Sequence, residues 1–328
     1  MTIKLDNKDK KLLYYLSQNC RMSDTKLSKL IKLSKNAIKY RKQRLQEQGI
    51  IKHYTATVNL GSIGHHTFCL LLRFNDNIES HEKIKEYFKD HPHVDWAITL
   101  SGQWDIFAEF IAKDLNHFHR LIKGVLKHLS SSLNKYQTFF SEDTLRVDHL
   151  PAAIYNNLEL EQIPQLKRVR KIHNINKTDK KILAYMTKHS NKTFVEVARD
   201  LNLTFEIVRY RLKLLEEQAT VIKYFPEIDL QRIGFTEYLF SISLKNIDQK
   251  IMEKLRRHLR HNPYITYAFV DIASFQILFM TAFEDNKSVD NFSRNLRKEY
   301  GTIIQEQDYH LVQEQLKFNL FPEGLVEK

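Results

Sequence analysis

The sequence predicts an α+β protein made of two tandem copies of one unit, each a helix-turn-helix module followed by a βαββαβ domain. Three observations carry this expectation. The chain repeats itself over its length, each copy opens with three short capped helices, and the remainder of each copy switches between strand-period and helix-period hydrophobicity. At 328 residues and 42% hydrophobic content the chain can bury several cores, and 8 glycines with 6 prolines leave no sign of a disordered or fibrous composition.

The repeat is direct. LDNKDKKLLYYLSQN (residues 5–19) lies over INKTDKKILAYMTKH (residues 175–189), an offset of 170. The register holds from Tyr40 and Arg41 over Tyr210 and Arg211 to Ile63 and Gly64 over Ile233 and Gly234. One inserted residue then sets His91-Pro92 over Asn262-Pro263 and Leu150-Pro151 over Phe321-Pro322. The expected domains are a winged helix-turn-helix over 1–60, a ferredoxin-like domain over 65–150, a linker over 151–174, a second winged helix-turn-helix over 175–230 and a diverged ferredoxin-like domain over 235–328. The linker carries two prolines and the basic run KRVRK (residues 167–171).

Each helix-turn-helix follows from its caps. Asp6 caps a first helix and Asp9 answers it, as Asn176 and Asp179 do in the second copy. Leu12, Leu13 and Leu16 supply its buried face. Ser23 caps a second helix bearing Leu27, Leu30 and Ile31, and its counterpart Thr193 forms a capping box with Glu196. Ser34 and Thr204 cap the third helix after a short turn, the arrangement that sends a helix into a DNA major groove.

That third helix is two-faced. Ile38 and Leu45 form the buried side, while Lys35, Asn36, Lys39, Tyr40 and Gln43 form the outward side, with Arg44 at the edge. The outward groups, with the Ser34 cap, suit phosphates and base edges. In the second copy the matching DNA-binding candidates are Thr204, Arg209, Tyr210, Arg211 and Lys213, whereas Phe205 and Glu206 stand where Lys35 and Asn36 do. The two heads are therefore expected to read different sequences or to bind with different strength. Arg41, three residues from Ile38, leans toward the buried side; contact with DNA and bracing of the fold through a carboxylate both remain open, and likewise for Arg211. Gly49 is expected in the left-handed region past the third helix, and IIKHYTATVNL behind it alternates like the strand of a wing. Ala219 replaces that glycine in the second copy, so the helix end there is expected to differ.

Beyond Gly64, HTFCLLLRF reads as a strand, residues 79–90 as a helix, VDWAITL and DIFAEFIA as strands joined by SGQW, residues 115–129 as a helix and KYQTFFSEDTLRV as a last strand. This order is ferredoxin-like. Helices on one face of such a sheet leave the other face to be covered, which invites pairing with another copy.

Charge and cysteines bound the partners. Lysine plus arginine number 51 against 39 acids, a formal net charge of +12 that suits a polyanion such as double-stranded DNA. Cys20 and Cys69 have no metal-ligand spacing and no disulfide framework, as in a reducing compartment. The opening MTIKLDNKDKK lacks the apolar core of a signal peptide, and the most apolar stretch, residues 267–283, is interrupted by Asp271, Ser274 and Gln276 and reads as two buried strands. A cytoplasmic protein with no membrane partner is expected.

On LDNKDKKLLYYLSQNCR, LSKNAIKYRKQRLQEQGIIKHYTATVNLGSIG and LSGQWDIFAEF, the first copy resembles the Lrp/AsnC (feast/famine) family of prokaryotic transcriptional regulators, and the second follows through the repeat. The resemblance implies a winged DNA-binding domain, a domain that senses an effector and dimerises through its sheet, assembly of dimers into larger homo-oligomers, and an amino acid or related small metabolite as effector. Carried onto this chain, the effector-binding motif falls at Gly102, Trp104 and Asp105. An ordinary hairpin turn, with Asp105 satisfied by nearby amides, is the alternative. The second copy has Ala273, Phe275 and Gln276 there, which places effector binding by that copy in doubt. A tandem copy further implies an intramolecular pseudo-dimer with two unequal heads.

The expected function is thus sequence-specific DNA-binding transcription regulation. The alternatives are an enzyme resembling the sirohaem decarboxylases, which share this fold, and an architectural protein that coats DNA without preference. The 15 histidines include His65-His66, His91 with His93, and His117 with His119, but the last two project to different sides of a helix, a poor metal arrangement. Nucleophile triad, glycine-rich phosphate loop and paired-cysteine site are all missing from the sequence, so no catalytic residue, metal or cofactor is expected and the chain is read as not an enzyme.

Overall fold

The structure, a computed structural model, describes residues 2–75, 78–141, 143–161, 171–245, 248–271 and 276–326. The first copy opens with α1 (Asn7–Gln18), α2 (Asp24–Ile31) and α3 (Lys35–Glu47) and passes into strand β1 (Ile51–Val58). The caps are in place. The Asp6 carboxylate accepts the Asp9 amide at 2.7 Å and Asp9 returns the bond, while Ser23 and Ser34 accept from Lys26 and Ala37. Lys32, in the left-handed region at φ 58°, ends α2 so that α3 can begin three residues beyond it.

The α/β part follows as β2 (His66–Phe74), α4 (Ile78–Asp90), β3 (Val94–Leu100), β4 (Ile106–Ala112), α5 (Leu115–Leu129), β5 (Leu133–Phe140) and the short β6 (Asp143–Val147). The last strand expected from sequence is therefore two strands here. The second copy repeats the series as α6 (Lys177–His189), α7 (Phe194–Leu201), α8 (Phe205–Glu217), β7 (Val221–Ile228), β8 (Thr236–Leu244), α9 (Gln249–His261), β9 (Ile265–Asp271), β10 (Gln276–Phe283), α10 (Asn286–Tyr300) and β11 (Ile304–Phe318). Residues 162–170, with most of the basic KRVRK run, lie outside the described residues, as do Ala273 and Phe275.

Nine strands are hydrogen-bonded in the order β5-β2-β4-β3-β11-β8-β10-β9-β6. Each copy contributes the strand order of a βαββαβ fold, and the copies exchange their ends. The far half of β11 pairs antiparallel with β3, Val312 opposite Leu100 and Phe318 opposite Trp96. In return β6 pairs antiparallel with β9, Thr144 opposite Phe269. One face of the first sheet packs Phe68, Leu70, Leu72, Ala108 and Phe110 on Phe118 and Val125 of α5. The other face, with Cys69, Leu71, Ile98, Leu100 and Phe107, meets Leu239, Phe269, Leu278 and Met280 of the second copy in one buried layer. The alternation along each strand supplies both faces.

The reading modules are joined in the same reciprocal way. β1, expected as a wing of its own module, pairs antiparallel with β7, Tyr54 opposite Pro226 and Thr57 opposite Lys223. Sequence reasoning has no access to a partner strand so far along the chain. The Arg21 guanidinium donates to the carbonyls of Ser190 and Lys192, both at 2.8 Å, and stands over the rings of Phe194 and Tyr224. A single apolar core runs through both modules, from Leu12 and Ile38 to Ile182 and Val208. Among the described residues, no helix is long and apolar enough to cross a membrane.

Gly49 and Ala219 both take the left-handed region, at φ 67° and 51°, so the two helix ends do not differ as expected; the same closing bonds form at both, Ile50 to the Leu45 carbonyl and Thr220 to the Leu215 carbonyl. A Cβ added at Gly49 would lie 2.9 Å from Arg232 Nε. Gly49→Ala should therefore cost about 1 kcal/mol or somewhat more, and Ala219→Gly should gain a smaller amount, in denaturant unfolding. No change in unfolding free energy for either variant would show that neither position is strained.

Candidate nucleic-acid interface

The face that could meet DNA is built on α3 and α8. Ile38 and Leu45 of α3, and Val208, Leu212 and Leu215 of α8, are buried and fix each helix on its module. On α3 this leaves Ser34, Lys35, Asn36, Lys39, Tyr40 and Gln43 exposed. Tyr40 is 65% accessible, which is far more than a packing role needs. Ser34 Oγ accepts the Ala37 amide at 3.1 Å, and its hydroxyl proton is still available to a phosphate. The Gln43 amide donates to Glu47 at 2.7 Å and must leave that partner to meet a base.

Arg41 and Arg44 are placed differently from the rest. The Arg41 guanidinium donates to Asp6 at 2.8 Å and to Asp9 at 2.6 Å, and Arg44 donates to the other Asp9 oxygen at 2.6 Å. Asp9 is buried, so its charge needs these two cations. Burial raises the Asp6 carboxyl, but the Asp9 amide and Arg41 outweigh it and hold Asp6 below its ordinary value. Of its two open roles, Arg41 takes the brace; as a DNA contact it is corrected, because its guanidinium is turned into the fold by these carboxylates. Arg44 is held by the same buried charge and keeps only its rim exposed.

On α8, Thr204 Oγ1 accepts the Ile207 amide at 3.3 Å, and Arg209, Tyr210 and Lys213 are exposed, Tyr210 by 62%. Lys213 lies 3.7 Å from Glu217. Arg211 lies 3.7 Å from Asp179, a looser copy of the Arg41 brace, and its guanidinium stands 5.7 Å from the Tyr210 ring. Val195, Phe205 and Ile207 are also exposed beside these groups, so the second face is more apolar than the first. Sequence reasoning passed over Lys26, Lys29 and Lys32, which are exposed on and just beyond α2. Their spacing of three along a helix that would cross the DNA backbone was the available signal.

The loop expected to hold an effector is tied into the protein. Gly102 has φ +108°, and its carbonyl accepts from Arg73 at 2.8 Å. Asp105 receives Arg73 at 3.0 Å on one oxygen and the Phe74 amide at 2.7 Å on the other. Trp104 is buried in the layer between the sheets, with the Lys135 ammonium 4.5 Å from its ring. The Ser101 amide donates to Leu311 of the second copy at 2.9 Å. Asp105 alone of the three borders a cavity of about 250 Å³, which Lys85, Thr99 and Gln313 also line.

Comparison with known proteins agrees with this geometry. Residues 5–46 match the AsnC-type helix-turn-helix domain, residues 68–147 the Lrp/AsnC ligand binding domain and residues 175–218 a winged helix-turn-helix DNA-binding domain. The transcriptional regulator AzlB of Bacillus subtilis is 34% identical over 125 residues, covering 37% of this chain and 79% of that protein. An HTH-type transcriptional regulator of Pyrococcus furiosus is 32% identical over 130 residues, covering 37% of this chain and 87% of its own. Over the whole length, the crystal structure of the siroheme decarboxylase NirDL superposes with a TM-score of 0.64 at 10% identity, covering 98% of this chain and 96% of that one, which shows a shared fold. With both the reading module and the ligand-binding domain matched, the chain belongs to the Lrp/AsnC family of transcriptional regulators.

Proposed function

We propose that this regulator recognises specific double-stranded DNA through two unequal heads carried by one chain, which does the work of a dimer. The observation that supports this best is the outward face of α3, where Lys35, Asn36, Lys39 and Tyr40 stand exposed on a helix whose other side is locked by Ile38 and Leu45. The lysines would meet phosphates, and Asn36 and Tyr40 base edges. Ser34 and Gln43 complete the first face; Thr204, Arg209, Tyr210 and Lys213 form the second. Because Phe205 and Glu206 replace a lysine and an asparagine, the favoured site is asymmetric, with half-sites about one helical turn or a multiple apart.

The protein acts in the cytoplasm, as an intramolecular pseudo-dimer that also forms homo-oligomers, and answers to a small-molecule effector. Gly102, Trp104 and Asp105 serve that response by shaping the loop, since Asp105 already holds two donors and Trp104 is enclosed. A catalytic role on carboxylated tetrapyrrole is not favoured. The cavity between the halves is lined by Glu109, Asp148, Glu227, Asp229, Glu237 and Glu314, and the one lysine of its described lining, Lys52, is already held by Glu227, which leaves little to receive a polycarboxylate. The fold shared with a decarboxylase does not carry its chemistry across.

DNA selected from a random pool should yield an asymmetric site, protected over both halves in footprinting. Lys39→Ala should weaken binding to all sequences alike and reduce the slope of log K against log salt by about 1. Tyr40→Ala and Arg209→Ala should each relax preference in one half-site by about 1–3 kcal/mol. If all three variants bind as the parent does, the reading heads are misassigned. Arg41→Ala should instead lower the unfolding free energy by about 2 kcal/mol, because it strips a cation from buried Asp9; an unchanged melting temperature would contradict the brace.

A further inference from the structure

Between the two sensing domains lies a cavity of about 350 Å³ that no comparison assigns and that the reading heads do not use. Both copies wall it. Trp96 and Glu109 come from β3 and β4, while Glu237, Tyr267 and Met280 come from β8, β9 and β10. The ribbon of β1 and β7 closes another side with Lys52, Phe225 and Glu227.

Its carboxylates fall into two groups. Glu227 holds Lys52 at 3.1 Å and takes a bond from Gln315 at 2.7 Å. Asp148 holds Lys223 at 3.4 Å and Arg146 at 3.1 Å, and Glu314 holds Lys85 at 3.1 Å. Asp229 has Arg232 at 3.6 Å. Among the described residues, Glu109 and Glu237 meet no cation at such a distance. Glu109 is only 5% accessible; the Cys69 thiol at 3.7 Å and the Tyr267 side chain lie beside it, and the charged group near it is another buried acid, Asp95, whose carboxyl Glu109 helps to push up. Glu237 has no hydrogen-bond partner among the described residues, and the nearby Lys52 is committed to Glu227. Burial pushes both carboxyls up to about 7, so both acids would gain from a positive charge placed between them.

Two further features point to a ligand and not to a packing defect. Trp96 lines the cavity, and its indole nitrogen is buried without an acceptor, a donor whose cost a small shift of the ring onto a bound acceptor would relieve. Trp96 also stands edge-on to Tyr267 with centroids 5.7 Å apart, which gives the cavity an aromatic wall of the kind that receives cations. Nor are the two acids inherited features of the repeated unit. In the matching strand register Met280 stands where Glu109 does, and Thr67 where Glu237 does. They occur once each and converge on one cavity.

We propose that this cavity binds a small organic cation, a molecule with a protonated amine on an apolar carbon body. The ammonium lies between Glu109 and Glu237, the body lies on Trp96, Tyr267, Met280 and Val312, and an oxygen on the same molecule accepts the Trp96 indole N–H. Because β1 and β7 form part of the wall and lead directly from α3 and α8, the bound molecule sits where the sensing layer meets both heads.

Isothermal titration of the full-length protein without DNA tests this apart from the DNA reading. The probes are 1,4-diaminobutane and 2-phenylethylamine, against their neutral counterparts butane-1,4-diol and 2-phenylethanol. At least one amine should bind at least about tenfold more tightly than its alcohol, and Glu237→Gln, nearly isosteric, should weaken that amine by about tenfold or more while the melting temperature does not fall. Glu227→Gln, whose carboxylate already has its cation, should have the smaller effect. The inference is overturned if the alcohols bind as tightly as the amines, if Glu237→Gln leaves the amine unaffected, or if neither amine gives heat up to about 10 mM, near the weak end of specific affinity. The amine-against-alcohol comparison is made on the unmodified protein and stands even if a variant misfolds.

Discussion

Coverage of the inner sheet faces is the constraint on which the rest of this structure depends. Each βαββαβ domain packs its helices on one side only. Cys69, Leu71, Ile98, Leu100 and Phe107 on one sheet, and Leu239, Phe269, Leu278 and Met280 on the other, would be open to water in isolated domains. Burying such a layer is the dominant favourable term available to the fold. The strand exchange locks it in place: β11 completes the first sheet beside β3 and β6 completes the second beside β9. In a two-chain dimer this association would depend on concentration. Here the linker makes it intramolecular, and the effective concentration of one half about the other is set by the chain.

That arrangement explains which parts could be read in the sequence. The helices were legible because their caps and apolar periods are local: Asp6 with Asp9, Asn176 with Asp179 and Thr193 with Glu196 all form the boxes their spacing indicates. The order of strands and helices was legible for the same reason. Pairing across the halves was not. The alternation of β1 says that it has a buried face, and nothing in it says that the partner is β7. The site residues divide in the same way. Tyr40 and Lys39 are exposed because helical periodicity puts them opposite Ile38. The fate of Arg41 depended on a carboxylate in another helix, and that of Asp105 on Arg73 in another strand. Glu109 was within reach of sequence reasoning: it is the one charged residue in IFAEFIA, a strand buried at every position, and an acid there asks for a reason.

Covalent duplication also removes a restriction that a symmetric dimer obeys. In a homodimer each substitution appears twice, so a cavity on the two-fold axis receives every charge in pairs related by symmetry. A tandem chain can place Glu109 on one side and leave Met280 at the matching position of the other. Two acids without symmetry mates in one chamber are then reachable by single changes, each tolerated because burial pushes the carboxyl up to about 7 and so lessens its charge.

The same freedom has acted on the reading heads, and the pattern of change separates packing from recognition. Positions that hold a module together are kept or changed conservatively: Asp9 and Asp179 are both buried, Arg41 and Arg211 both face them, and the positively twisted Gly49 and Ala219 keep one backbone shape with different side chains. Outward positions at the start of the helix have diverged in charge and character, Lys35 to Phe205 and Asn36 to Glu206, while Lys39 to Arg209 keeps its charge and the exposed Tyr40 and Tyr210 persist. An exposed tyrosine contributes nothing to the core and costs little to replace, so its retention beside diverging neighbours is not explained by folding. Two rigidly joined modules that share a tyrosine and differ around it are suited to half-sites that share one feature and differ in the rest. Symmetry in the scaffold and asymmetry at the surface thus follow from one cause, the freedom of each copy to change wherever the other does not lean on it.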